Sequence, residues 1–268
     1  MMSIQLDRRE FVAACAGLMA LPSTLLALTA EDVNQDRDME KILRELPQAK
    51  PHIDRMVAAC ERYASIFPVP VIWPAKMQAI ESGFNPDAIS NSYAVGSAQF
   101  VHATARELGA TLPAAEEFKN QDEVLSMRRR YQSKFDEAVA EFRKGNDQLA
   151  GSLRTEAEKL KASYEKSHQT TMESFKKKIF ALSTEARRAL DARFDPAVSD
   201  DLLVQYVAKL ARMVRKDLDL IDEQHILLLA AVAYNAGPGN IKRKGGIPVV
   251  AQNVEYANKL MVFQKVKF

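Results

Sequence analysis

Apolar and polar residues alternate with a helical period along most of the chain. Between positions 36 and 63 the apolar residues recur every three or four positions, which predicts amphipathic helix interrupted at Pro47 and Pro51. The stretch AKMQAIES, residues 75–82, predicts a short helix that ends at Gly83. No strand-rich block occurs in the sequence. The pattern therefore predicts a mainly α fold.

The middle of the chain differs in composition from the parts on either side. No proline occurs between Pro113 and Pro196, and the residues between them are rich in charges of both signs. Apolar residues in this stretch are spaced alternately by three and four, which is the pattern of a coiled coil. We favour a helical hairpin with its tip near Gly145 or Gly151, and a bent three-helix arrangement is the alternative. The predicted apolar seam consists of Val124, Tyr131, Phe135, Ala138, Phe142, Leu149, Leu153, Leu160 and Tyr164.

Two further helices are predicted after Pro196. The stretch SDDLLVQYVAKLARMVRKDLD, residues 199–219, is amphipathic, and Ser199 or Asp200 is its expected N-cap. The stretch DEQHILLLAAVAYNAGPG, residues 222–239, is apolar on nearly all sides, which predicts a helix in the core.

Composition and charge exclude some classes of function. The net charge is +2, and the basic runs are interleaved with acidic residues, so nucleic acid is not an expected partner. The four histidines have no metal-ligand spacing, and no glycine-rich phosphate loop is present. We therefore expect no cofactor and no metal.

The first thirty residues have the composition of an export signal. Arg8 and Arg9 precede about twenty mostly apolar residues that end at Ala30, as in signals of the twin-arginine type. Leu28 is a poor residue for a cleavage site after Ala30, so an uncleaved N-terminal anchor is the alternative. The expected location is the periplasm or cell envelope, with membrane contact only if this segment is retained.

Glu81 is a candidate catalytic acid on electrostatic grounds. It falls in the last turn of its predicted helix, where unpaired carbonyl groups disfavour a negative charge. Apolar neighbours such as Ile80 and Phe84 also raise a carboxyl pKa if they exclude water. An acid that stays protonated near neutral pH can donate its proton to a glycosidic oxygen.

Three blocks of sequence, taken together, point to a known family. ESGFNPDAIS begins at Glu81, AVGSAQF and HATARELG follow it closely, and AVAYNAGPGNIKR occurs much later. These blocks resemble, in order, the motifs of the soluble lytic transglycosylase family, whose members cleave peptidoglycan and are related in fold to goose-type lysozyme. The resemblance implies a lysozyme-like helical domain interrupted by the long charged hairpin. It also implies a domain order of 1–30 for the signal or anchor, 31–113 and 194–268 for the two parts of the catalytic domain, and 114–193 for the insertion.

The same resemblance assigns roles to individual residues. Glu81 matches the single catalytic acid of the family, and Tyr234 matches a tyrosine that hydrogen-bonds near that acid. Four further substrate-binding candidates match positions in or beside the same motifs: Ser82, Ser90, Gln99 and Asn235. Tyr256, in QNVEYANKL, matches the tyrosine of the last and looser motif of the family and is also a substrate-binding candidate. The chain departs from the family pattern at Val101, His102 and Gln252, which concerns contacts with the sugars and leaves the acid in place.

The expected reaction follows from the single acid. Asp87 is the only other carboxylate between Glu81 and Glu107, so the local sequence offers no clear partner for a two-carboxylate hydrolase. The resemblance implies cleavage between N-acetylmuramic acid and N-acetylglucosamine, without water, to a 1,6-anhydro end. Lysozyme-type hydrolysis is the alternative, with Asp195 or Asp200 as the distant second carboxylate.

A different class of function also fits the sequence. In that interpretation the chain is an envelope scaffold or glycan-binding protein, and residues 116–193 bind an envelope protein partner. The peptidoglycan glycan strand is the expected partner in either case.

Overall fold

The computed structural model describes residues 35–113, 115–248 and 250–268, with side chains omitted for 115–119. The predicted export signal or anchor, residues 1–30, lies outside the described residues. Within the described part of the chain the structure is mainly helical, which confirms the predicted fold class. The only extended pairings there are isolated bridges of Val95 with Ile89 and with Phe100.

Eleven α-helices are present in the described residues, together with two short 3-10 helices at Ala192–Phe194 and Phe263–Lys265. In chain order the α-helices are α1 (Gln35–Glu45), α2 (Ala49–Tyr63), α3 (Ile72–Ser82), α4 (His102–Glu107), α5 (Ala115–Arg143), α6 (Asp147–Phe180), α7 (Thr184–Leu190), α8 (Pro196–Leu218), α9 (Glu223–Ala236), α10 (Pro238–Lys244) and α11 (Ala251–Met261).

The described chain forms two compact units. Residues 35–85 and 199–268 form the first unit, and residues 86–198 form the second. The domain boundaries at 113 and 193 stay a prediction, because they concern the family domain and its insertion, whereas the two units reflect packing.

The core of the first unit contains α3 and α9. All residues of α3 from Ile72 to Ala79 are buried, and so are Ile226 and most of α9 up to Ala233. The predicted core helix is therefore confirmed. Helix α3 ends at Gly83, whose φ of 61° is the left-handed conformation that glycine adopts without strain.

Polar contacts connect α1 to the last residues of the chain. The Lys41 ammonium donates to the backbone carbonyls of Phe263 at 3.2 Å and Gln264 at 2.9 Å, and also to that of Val266. The Gln264 side chain donates to Asp38 at 2.7 Å. Lys41 and Asp38 are both buried, so these bonds form in a site of low polarity, where they are stronger than in water.

Helix α8 begins earlier than the sequence predicted. Its first residue is Pro196, and the Asp195 carboxylate accepts a hydrogen bond from the Ala197 amide at 2.8 Å. Proline suits the first helical position, because its missing N–H has no partner there in any case. The predicted N-caps Ser199 and Asp200 were therefore wrong, since both lie inside the helix and are buried.

The second unit contains a helical hairpin. Helices α5 and α6 are joined by a turn at residues 144–146, in which Gly145 has a φ of 84° and its amide donates to the Phe142 carbonyl. The favoured hairpin and its tip near Gly145 are confirmed, and the alternative tip at Gly151 was wrong because that residue lies within α6. We call residues 115–180 the hairpin. Its coiled-coil character stays a prediction.

The buried residues of the hairpin differ partly from the predicted seam. Val124 and Ala138 are buried as predicted, whereas Leu149 is 50% exposed. The positions buried on α6 include Ala150 and Ala157. Small side chains at these positions allow two helix backbones to approach closely.

No helix among the described residues is both long and apolar enough to cross a membrane.

Candidate active site

Glu81 lies in the last turn of α3, at a site that is largely shielded from water. The residue is partly buried, and its Oε1 atom is enclosed without a hydrogen-bond partner among the described residues. Burial raises the pKa of the carboxyl from its ordinary value of 4.5 to about 7. A substantial fraction of Glu81 is therefore protonated near neutral pH, which is the property required of a general acid.

Tyr256 on α11 is the side chain that opposes this shift. Its interaction with Glu81 favours the carboxylate and lowers the pKa of Glu81, although by less than burial raises it. The Tyr256 hydroxyl is buried, and it makes no hydrogen bond of ordinary length and angle within the described part of the chain.

Tyr234 near the end of α9 is a second tyrosine close to Glu81. Burial raises its pKa well above the ordinary value, and the negative charge of Glu81 raises it further. Its ring lies 5.6 Å from that of Tyr206, measured between centroids. Tyr206 on α8 was missed in the sequence, where an aromatic residue on an amphipathic helix indicates only packing. Tyr234 and Tyr256 therefore stay neutral, so each can serve as a hydrogen-bond donor beside the acid.

Ser82 directly follows Glu81 in the chain, and Asn235 directly follows Tyr234. The Ser82 carbonyl accepts a hydrogen bond from the Asn85 amide at 3.3 Å, which helps to form the turn after α3. Asn235 is partly buried, and its Oδ1 atom has no hydrogen-bond partner among the residues described. An unpaired buried acceptor is costly, and a ligand hydroxyl or amide group can satisfy it.

Ser90 and Gln99 belong to the second unit, in a segment that we call the motif loop, residues 86–101. The Ser90 hydroxyl accepts hydrogen bonds from the amides of Ser92 at 3.2 Å and Ala94 at 3.0 Å. The Gln99 amide group donates to the carbonyls of Ala88 at 3.2 Å and Gly96 at 2.8 Å. Both side chains thus organise the loop backbone, a role that the sequence motif did not reveal.

The two predicted second carboxylates have structural roles of their own. Asp195 caps α8, as described above. The fully buried Asp200 accepts hydrogen bonds from Arg55 at 2.7 Å and Gln78 at 2.9 Å, and its Oδ1 lies 2.8 Å from His52 Nδ1. A carboxylate with these three partners has little capacity left to act as a base. The Asp200 network instead joins α2 and α8 to α3, the helix that carries Glu81.

No metal centre is evident from the described residues, which contain no group of three or more His, Cys, Asp or Glu side chains arranged to hold an ion.

The family comparison agrees with this site. The family model described as "Transglycosylase SLT domain" matches residues 74–125, a segment that includes Glu81, Ser82, Ser90 and Gln99. This match confirms the resemblance to the soluble lytic transglycosylase family. It supports a function of the lytic transglycosylase type on peptidoglycan, with glycan strands as the substrate. No curated protein and no solved structure matches the chain.

Proposed function

We propose that this protein is a peptidoglycan lytic transglycosylase in which Glu81 acts alone as acid and then as base. Protonated Glu81 donates to the oxygen between N-acetylmuramic acid and N-acetylglucosamine, and the bond from that oxygen to C1 of the muramic acid breaks. The acetamido group of the same sugar stabilises the positive charge at C1. Its C6 hydroxyl then transfers a proton to Glu81 and bonds to C1, which gives a 1,6-anhydro end and consumes no water.

The observation that carries this proposal is the raised pKa of Glu81, to which no second carboxylate contributes. Its two influences are burial and Tyr256, and neither involves a second acid. Hydrolases with two carboxylates place the second one about 5–10 Å away, where its charge would be expected to affect the first. Asp200, the predicted alternative partner in the first unit, is already bonded to His52, Arg55 and Gln78.

Three polar side chains of the first unit support a glycan role for this region. Tyr234 and Tyr256 are neutral donors, because burial raises the pKa of each well above the ordinary value. Asn235 supplies an unpaired buried acceptor. Donors and acceptors of this kind suit the hydroxyl and acetamido groups of a sugar.

Mass spectrometry of the products from isolated sacculi tests the reaction. An anhydro end and a reducing end differ by one water, so anhydro products support the proposal and reducing ends support the lysozyme-type alternative. Glu81→Gln is expected to abolish release while the circular dichroism spectrum is retained. Glu255→Gln is the matched control, since this exposed residue pairs with Lys259 on the same helix, and the activity of the variant is expected to stay at the wild-type level. Wild-type rates in Glu81→Gln would overturn the mechanism.

The location in the periplasm or cell envelope, with export through residues 1–30, is part of the same proposal. It follows from the substrate and from the predicted signal. Fusion of residues 1–30 to a reporter that is active only after export tests it, with Arg8→Lys/Arg9→Lys as the matched control. Retention of the wild-type fusion in the cytoplasm would refute this part.

A further inference from the structure

We infer that the hairpin, together with Arg193 beyond it, is a brace that holds the motif loop in its glycan-binding conformation, with Arg128 and His168 as the positioning residues of the hairpin. The assignment of glycan to the loop rests on the proposed function. The brace itself rests on contacts within the second unit.

The motif loop has a backbone that needs outside support. Tyr93 and Gln99 have φ values of 57° and 54°, in the left-handed region that residues other than glycine rarely adopt. Two such residues within seven positions cost free energy, and they persist where the surroundings fix them. The internal bonds of Ser90 and Gln99 provide part of that support, and the rest comes from the residues after the loop.

The hairpin donates two hydrogen bonds to the tip of the loop. Arg128 on α5 donates to the Ser92 hydroxyl at 2.9 Å, and the Nε2 atom of His168 on α6 donates to the Asn91 carbonyl at 2.7 Å. The two arms of the hairpin therefore bond to adjacent residues of the loop. Both loop residues directly follow Ser90, the first glycan candidate of this segment.

Apolar packing fixes the loop between the same two helices. Tyr93 is 2% exposed and packs in one cluster with Val124 of α5 and Met172 of α6. Its ring also lies 5.5 Å from that of His168, between centroids. Val95 packs with Ile179, also of α6, in a second cluster. A buried tyrosine with one neighbour from each arm makes the loop conformation depend on the hairpin.

Arg193, beyond the hairpin, holds the other part of the loop. It is fully buried and pairs with Asp191, with Nη2 donating to Oδ2 at 2.7 Å. Its Nη1 group donates to the carbonyls of Tyr93 at 3.3 Å and Phe100 at 3.0 Å. These two residues bracket the segment that contains Gln99, so one guanidinium sets the separation of its ends.

The kinetic test uses the partly exposed residues Arg128 and His168, because substitution of the buried Arg193 is expected to unfold the protein. Arg128→Ala and His168→Ala are each expected to raise the KM for soluble glycan strands roughly threefold to tenfold, as expected for the loss of one hydrogen bond, with kcat within about twofold of wild type. Arg154→Ala is the matched control on the same hairpin. It pairs with Glu158, remote from the loop in sequence, and its KM is expected to be unchanged.

A double variant of Arg128 and Ser92 distinguishes a positioning role from a general loss of structure. Ser92→Ala and Arg128→Ala remove the same hydrogen bond, so the double variant is expected to have no higher KM than either single variant. Arg128→Lys keeps a donor and is expected to restore part of the affinity. Additive effects, no rescue, or an equal effect of Arg154→Ala would overturn the brace.

Hydrogen exchange provides a readout that does not depend on catalysis. In Arg128→Ala the amides of Ala94, Val95 and Phe100 are expected to exchange faster than in wild type, and in Arg154→Ala at the wild-type rate. Unchanged exchange in Arg128→Ala would overturn the brace even if the enzyme is active. If the wild-type protein neither binds nor cleaves glycan strands, the proposed function fails, and exchange still decides whether the hairpin holds the loop.

Discussion

Tyr256 and Glu81 act on each other's ionisation across the gap between α11 and α3. The tyrosine lowers the pKa of the glutamate, and the glutamate raises the pKa of the tyrosine. The net result is a carboxyl whose pKa is about 7 beside a phenol that stays neutral. Near neutral pH, Glu81 can therefore act as a proton donor in catalysis while the neutral Tyr256 hydroxyl donates a hydrogen bond.

Activity is expected to decrease as pH rises through about 7, because the first step needs the protonated form of Glu81. A pH profile of kcat/KM on glycan strands measures this limb. A profile that stays flat to pH 9 would show that another group, or none, supplies the proton.

Tyr256→Phe is expected to move that limb to higher pH. The substitution removes the side-chain interaction that favours the Glu81 carboxylate and keeps the buried ring. The same pH profile, with wild type and variant in parallel, measures the displacement. A limb displaced to lower pH would contradict the assigned role of Tyr256.

Glu81→Gln is expected to be more stable than wild type above pH 7, by about 1–3 kcal/mol. The folded protein binds the Glu81 proton more tightly than the unfolded chain does, since its pKa is raised from 4.5 to about 7. This group therefore lowers stability as pH rises between those values. Urea unfolding at pH 5 and pH 8 measures the difference, which should be largest at pH 8. An equal difference at both values would contradict the raised pKa.

Asp200→Ala is expected to destabilise the fold by about 3–5 kcal/mol, because it leaves His52, Arg55 and Gln78 without their shared acceptor. Asp201→Ala is the matched control. Its carboxylate accepts from Tyr63 at 2.7 Å near the surface, so the expected cost is about 0–1 kcal/mol. Urea denaturation of both variants checks the contrast, and similar midpoints would refute it.

Ala157→Leu is expected to destabilise the protein by about 1–3 kcal/mol, since Ala157 is fully buried and extra methyl groups would force the hairpin helices apart. Leu149→Ala, at a half-exposed position of the same helix, is expected to change stability by less than about 0.5 kcal/mol. Thermal unfolding monitored by circular dichroism distinguishes them. A larger loss of stability in Leu149→Ala than in Ala157→Leu would favour the seam predicted from the sequence.

The sequence predicted the features that depend on local pattern. Helical periodicity and Gly83 place Glu81 in the last turn of α3, and Gly145 places the tip of the hairpin. Ala138 was predicted in the seam, but the buried Ala150 and Ala157 were missed, because alanine is only weakly apolar and a pattern favours Leu149 over Ala150. Asp200 was predicted to be an N-cap because the sequence does not reveal its three partners. His52, Arg55 and Gln78 are all at least 122 residues away in the chain.

The residues of the candidate site that belong to sequence motifs could be predicted, whereas roles that depend on packing and backbone geometry could not. Glu81, Tyr234 and Tyr256 came from family motifs, and the structure shows how they influence each other. The role of Ser90 and Gln99 in bonding their own loop depends on backbone geometry that composition does not reveal. Tyr206 had no signal beyond an aromatic residue on an amphipathic helix.

The bonds from Lys41 to the last residues of the chain have a consequence for how the protein opens. Release of α1 alone would leave the carbonyls of Phe263 and Gln264 without their donor, and release of the chain end alone would deprive the Lys41 ammonium of these carbonyl acceptors. The two segments should therefore detach together as one cooperative unit. Fraying at the chain end and loss of α1, which lie more than two hundred residues apart in sequence, become a single event.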